Sequence, residues 1–179
     1  MSTALHQITM SYLGTEDRLL LRVSTTRHDE HQILLTRRFV KLLWPALIKS
    51  IEKKSLPSET VAAPTTTPQV KRAVIAMQHN DVLQKADMTK SYDEQKVNKP
   101  STVKPMLVTG GQCSPLPTGG VELTLKTEEN LEIGLTLGET LLHGFCHQIT
   151  SLTAKADWGL ATIVGDPNIH APAGGSAIH

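Results

Sequence analysis

Residues 18–54 read RLLLRVSTTRHDEHQILLTRRFVKLLWPALIKSIEKK, and residues 121–156 read VELTLKTEENLEIGLTLGETLLHGFCHQITSLTAKA. Each begins with a β-rich apolar run, breaks at a polar turn, resumes as a second short run and continues into a long apolar segment. That succession predicts a hairpin followed by a helix.

A further strand precedes each hairpin. His6–Leu13 alternates, with Ile8, Met10 and Tyr12 on one face, and Gly14–Asp17 turns it into Arg18–Thr25. Arg27–Glu30 turns the chain again into His31–Thr36, and Arg37–Lys54 is predicted helical with Thr36 as its N-cap. Downstream, the strands are Met106–Cys113, Val121–Thr127 and Leu131–Thr136, with turns at Ser114–Gly120 and Glu128–Asn130. A helix from Leu137 to Ala156 follows, opened by a Thr136–Glu139 capping box.

Sliding one half by 100 residues sets Leu21 on Val121, Val23 on Leu123, Ile33 on Ile133, Leu35 on Leu135, Thr36 on Thr136 and Leu42 on Leu142. The fold class expected is therefore α+β: two similar units of three antiparallel strands and a helix, in a pseudo-two-fold arrangement. A unit this short buries its apolar face poorly alone, so the two are expected to pack as one domain.

The divisions follow. Residues 1–54 form the first unit, 55–105 the linkers and a central helix, 106–165 the second unit with a final strand at Gly159–Gly165, and 166–179 a mobile tail. Ser55–Pro68 and Thr89–Pro105 are rich in Pro, Thr and Ser or otherwise polar, as linkers are. Between them, Gln69–Met88 has Val70, Val74 and Met77 at helical spacing, with Pro68 at a tolerated N-terminal position.

The two long helices differ. In Leu137–Ala156, Leu141, Leu142, Phe145, Ile149 and Leu152 make the apolar stripe. The other side carries Thr140, His143, His147, Thr150, Ser151 and Ala154, an uncharged face that suggests contact with another element or subunit. In Arg37–Lys54, Val40, Leu43, Leu47 and Ile51 face the core. Phe39, Leu42, Trp44, Ala46 and Ile48 widen the apolar arc, leaving Arg38, Lys41, Lys49 and Glu52 as the polar stripe. Pro45 is expected to kink that helix. An arc so broad calls for a cover on two sides.

Composition narrows the classes. The chain has 179 residues, 39% hydrophobic and 3% aromatic, with net charge +1, too apolar and too balanced for a disordered protein. No run approaches the ~20 apolar residues of a membrane helix. MSTALHQITMSYLG has neither the basic nor the apolar region of a secretory signal, so no membrane role and a cytoplasmic location are expected. Cys113 and Cys146, the two cysteines, suit a reducing compartment and inert buried thiols. The neutrality is a cancellation: residues 1–54 carry +4, 55–104 carry +2 and 105–179 carry −5.

Chemistry-bearing motifs are sparse. His143 and His147 lie one helical turn apart and are the candidate metal pair, with Cys146 turned away and no HExxH glutamate. His28, Asp29, Glu30 and His31 are ligand types in a turn, where polar residues are expected anyway. The glycine pairs 110–111, 119–120 and 174–175 fit neither GxxxxGK[ST] nor GxGxxG, and no serine sits in a GxSxG elbow. Asp157–Trp158 ends the second helix, with Trp158 read as a core plug.

The expected function is non-enzymatic, by protein–protein interaction or self-assembly in a small bacterial-type protein, with no cofactor. Its interface is drawn from Trp44, Arg38, Lys41, Thr140, His143 and His147. The alternative is single-stranded nucleic-acid binding through Arg18, Arg22, Arg27, Arg37, Arg38 and Lys41, opposed by the acidic second half and scarce aromatics.

Overall fold

A computed structural model of the chain describes residues 5–25, 29–55, 67–86, 104–165 and 177–178. The expected linkers at 56–66 and 87–103, and positions 166–176 of the expected tail, lie outside the described residues. In chain order the elements are β1 (Leu5–Leu13), β2 (Arg18–Thr25), β3 (Glu30–Thr36), α1 (Arg37–Ser55), α2 (Pro68–Lys85), β4 (Met106–Pro115), β5 (Val121–Thr127), β6 (Glu132–Leu137), α3 (Glu139–Lys155) and β7 (Ala177–Ile178). The class is α+β.

Strands β1 to β6 lie side by side in sequence order in one mixed sheet. All neighbours are antiparallel except β3 and β4, which run parallel and pair only through Ile33↔Met106 and Leu34↔Leu107. Beyond that short contact β3 leaves β4, and β7 takes the vacated edge through Gly111↔Ile178 and Gln112↔Ala177. The tail expected to be mobile thus contributes a two-residue strand.

Alternation builds the sheet's buried face. In β5, Val121, Leu123, Leu125 and Thr127 point inward while Glu122 and Lys126 point out. Leu19, Leu21 and Val23 do the same in β2. Together with Ile33, Leu35, Leu137, Phe145 and Ile149 they form a single core spanning both halves of the chain. Each such aliphatic side chain contributes about 2 kcal/mol on burial.

The strand pairing does not follow the 100-residue offset expected from the sequence. Leu21 faces Ile33, but Val121 faces Leu137 rather than Ile133. The hairpins coincide at an offset of 102, which carries Leu21↔Ile33 onto Leu123↔Leu135, and Arg37, the first residue of α1, onto Glu139, the first of α3. A two-residue slip preserves strand alternation, which is why the apolar match in the strands survived it, but turns a helix by about 200°. The pairing of Leu42 with Leu142 fails accordingly: Leu42 is 41% exposed and Leu142 2%.

The slip also explains the caps. Thr36 caps α1, its Oγ1 accepting from Phe39 N at 3.1 Å. Thr136, however, lies within β6, and α3 is capped by Gly138 without a side-chain bond. The expected Thr136–Glu139 box is not formed. Gly120 is required beside this junction. Its φ is +92°, and a Cβ there would collide with the backbone of Leu137 and Gly138.

Helix α1 runs through Pro45 as one element. It packs against β3, β4 and β7 on one side and α2 on the other, which covers the arc. α2 begins with Thr67 as N-cap and Pro68 in its first turn. α3 packs against β6, β1 and α2. The strand expected at Gly159–Gly165 is absent: both glycines have left-handed φ (60° and 87°), and Thr162 N donates to Leu160 O two residues back, a tight turn. The segment is tied down instead by hydroxyls. Thr150 donates to the Thr162 carbonyl, and Thr153 Oγ1 lies 2.7 Å from Thr162 Oγ1.

Candidate functional site

α2 and α3 meet through two histidines. Ile75 and His79, one turn apart, are the two side chains of α2 that are buried. From α3, the buried His143 projects toward α2, and its Nδ1 lies 2.7 Å from His79 Nδ1, with ring centroids 5.0 Å apart. At that distance one ring donates an Nδ1–H and the other accepts, so the two neutral rings are in different tautomers. His147, a turn further along α3, is exposed. Burial chiefly, then the nearness of His143 and His147, pulls His79 down from 6.5 to about 4.

The metal expectation therefore changes. His143 is turned to His79, and among the described residues no group of three His, Cys, Asp or Glu side chains is placed to hold a metal ion. His79 escaped notice because Val70, Val74 and Met77 dominated the reading of its helix. The signal was the opposite stripe, Ile75, His79 and Val82, at spacings of four and three.

The six expected interface residues do not form one surface. Trp44 is buried beneath α1, and His143 is buried against α2. Both are covered by the chain's own elements in the described structure. Arg38 and Lys41 are exposed on α1, and Thr140 and His147 on α3. Leu42, Leu131 and Ile163 are exposed elsewhere, and α2 alone exposes three large apolar side chains among the described residues, Val70, Val74 and Met77, at 50%, 39% and 75%. They occupy one stripe at i, i+4 and i+7, on the side opposite Ile75 and His79.

Two other polar clusters are structural. Arg22 makes two 3.1 Å bonds to the carboxylate of the buried Glu30, which also accepts from Gln32 Nε2 at 2.8 Å. That consumes a charge expected on a nucleic-acid face and a carboxylate from the His28–His31 turn, whose His28 lies outside the described residues. Asp17, at φ 50°, accepts from Tyr12 Oη at 2.9 Å and from Trp158 Nε1 at 2.6 Å. Tyr12 and Trp158 meet edge to face at 6.3 Å. The Trp158 and Tyr12 bonds hold the Asp17 carboxyl below its ordinary value.

Cys113 and Cys146 are both free and buried, and burial raises both thiols, more strongly at Cys146. No described helix is long and apolar enough to cross a membrane. Compared with known protein families, curated proteins and solved structures, the chain matches none of them.

Proposed function

We propose that this chain is a non-enzymatic binding protein that associates with a second copy of itself through α2. The observation carrying this reading is the exposed Val70–Val74–Met77 stripe on a helix whose other side is docked to the body. Two copies meeting antiparallel would bury the stripes against each other. They would also bring Lys71 of one copy toward Asp81 of the other, and oppose the helix dipoles favourably.

A single helix–helix contact lies at or below the ~1,200 Å² lower end of specific interfaces, so the association is weak and concentration-dependent. Sedimentation velocity over a concentration series tests it. Wild type should shift to a faster species as concentration rises, while Met77→Glu stays monomeric at unchanged thermal stability. A monomer at all concentrations overturns the reading.

The two strand–strand–strand–helix units are read as copies related by a pseudo-two-fold axis. The support is the 102-residue offset and a reciprocal packing, α1 on β4 and α3 on β1. Nucleic-acid binding is the second reading, supported by the exposed Arg37, Arg38 and Lys41 at the start of α1, whose first turn has no acidic residue. Against it, the described aromatics are buried or, for Tyr12, packed on Trp158. Salt-dependent anisotropy of a labelled single-stranded oligonucleotide, lost in Arg38→Glu, would favour it over self-association.

A further inference from the structure

We propose that α2 is held to the body of the protein by a proton-sensitive latch, closed when His79 and His143 are neutral and opened when both are protonated. The atoms make the sequence of events explicit. In the closed state one Nδ1–H donates to the other Nδ1, and the 2.7 Å separation leaves room for one proton on that axis. A first added proton goes to Nε2 of the donor ring, which keeps the Nδ1–Nδ1 bond but buries a charge. A second must go to the accepting Nδ1. That ends the hydrogen bond and sets two cations face to face in a desolvated contact.

The rest of α2 is thinly attached, which is what makes it releasable. Its 18 residues bury only Ile75 besides His79. Helices fixed by so few buried contacts are the parts of a fold that open below the global unfolding free energy. On α3, Glu139 stands one turn before His143 and His147 one turn after it. His147 of α3 adds to the repulsion once protonated; burial first, and then the nearness of both α3 histidines, is why His79 resists charging down to about 4. On α2 itself Arg72 is attracted by Glu52 of α1, and Asp81 is engaged by Lys85 at 2.6 Å on the exposed side.

Hydrogen exchange of the full chain, read by peptide between pH 7 and pH 4 and corrected for intrinsic rates, tests the latch. Residues 68–85 should lose protection on acidification by about tenfold per pH unit for each proton taken up, and so up to about a hundredfold where both rings titrate, while β2 and β5 stay protected. In His147→Gln, a surface change that leaves the pair intact, the midpoint should move to lower pH, because one charge that opposes protonation of the closed state is gone. In His79→Phe, the pH dependence of α2 protection should vanish. Protection of α2 that is unchanged down to pH 4, or lost together with the sheet in one transition, overturns the proposal. So does a His147→Gln midpoint that stays or moves to higher pH.

Discussion

His79 of α2 and His143 of α3, 64 residues apart in sequence, face each other with their Nδ1 atoms 2.7 Å apart and both side chains buried. The pair sets a pH dependence of folding whose sign is fixed by the direction of the shift. His79 is lowered from 6.5 to about 4, so between those values the unfolded chain takes a proton that the folded chain refuses. Stability is therefore full above about pH 6.5, falls as the pH drops toward 4, and gains no further penalty from this group below that. The loss amounts to roughly 3 kcal/mol at most. Urea titrations at pH 7.5 and 4.5 read it: wild type should lose about this much more than His79→Phe. Equal losses in the two proteins would contradict the assignment.

Asp17 joins the β1–β2 turn to the residue after α3, accepting from Tyr12 and from Trp158. Asp17→Ala should lower the melting temperature and change the fluorescence of Trp158, whose indole N–H loses its acceptor. The same bonds keep the carboxylate ionised, so this contribution is present at neutral pH and lost as the pH falls below the ordinary carboxylate range. An unchanged emission spectrum and melting temperature would show that the contact does not persist in solution.

Arg22 and Glu30 form a mostly buried pair, with side chains 19% and 3% exposed. Arg22→Met should cost about 2–4 kcal/mol, because Glu30 stays buried without its guanidinium. Replacing both, Arg22→Met with Glu30→Leu, should cost less than Arg22→Met alone. Chemical denaturation of the three variants decides it. A single substitution costing only a few tenths of a kcal/mol would mean the pair behaves as a surface one.

Much of this fold was legible as hydrophobic period. β2 and β5 run over the residues that alternation marks, Arg18–Thr25 and Val121–Thr127. The register of the second hairpin relative to the first was missed by two residues because alternation repeats every two, so strand patterns cannot distinguish a shift of 100 from one of 102. Only the turn between β5 and β6, and Gly138 where α3 begins, fix it. The burial of Trp44 was missed for a related reason. The width of an apolar arc does not tell whether its cover is internal, and Trp44 is covered by the chain's own elements. On α2, burial is decided by docking rather than by apolar spacing, and the helix turns Ile75 and His79 inward instead of Val70, Val74 and Met77. A contact between histidines 64 residues apart leaves no local pattern to read.

Disulfide trapping at Val74 tests self-association through α2 most directly. Cys113 and Cys146 are buried with raised thiol pKa values, so an introduced surface cysteine is the reactive one. Under mild oxidation at pH 8, Val74→Cys should form a covalent dimer on a non-reducing gel, abolished by adding Met77→Glu, while Thr140→Cys on the exposed side of α3 forms none. A Val74→Cys protein that stays monomeric, or that cross-links no better than Thr140→Cys, would contradict association through this helix.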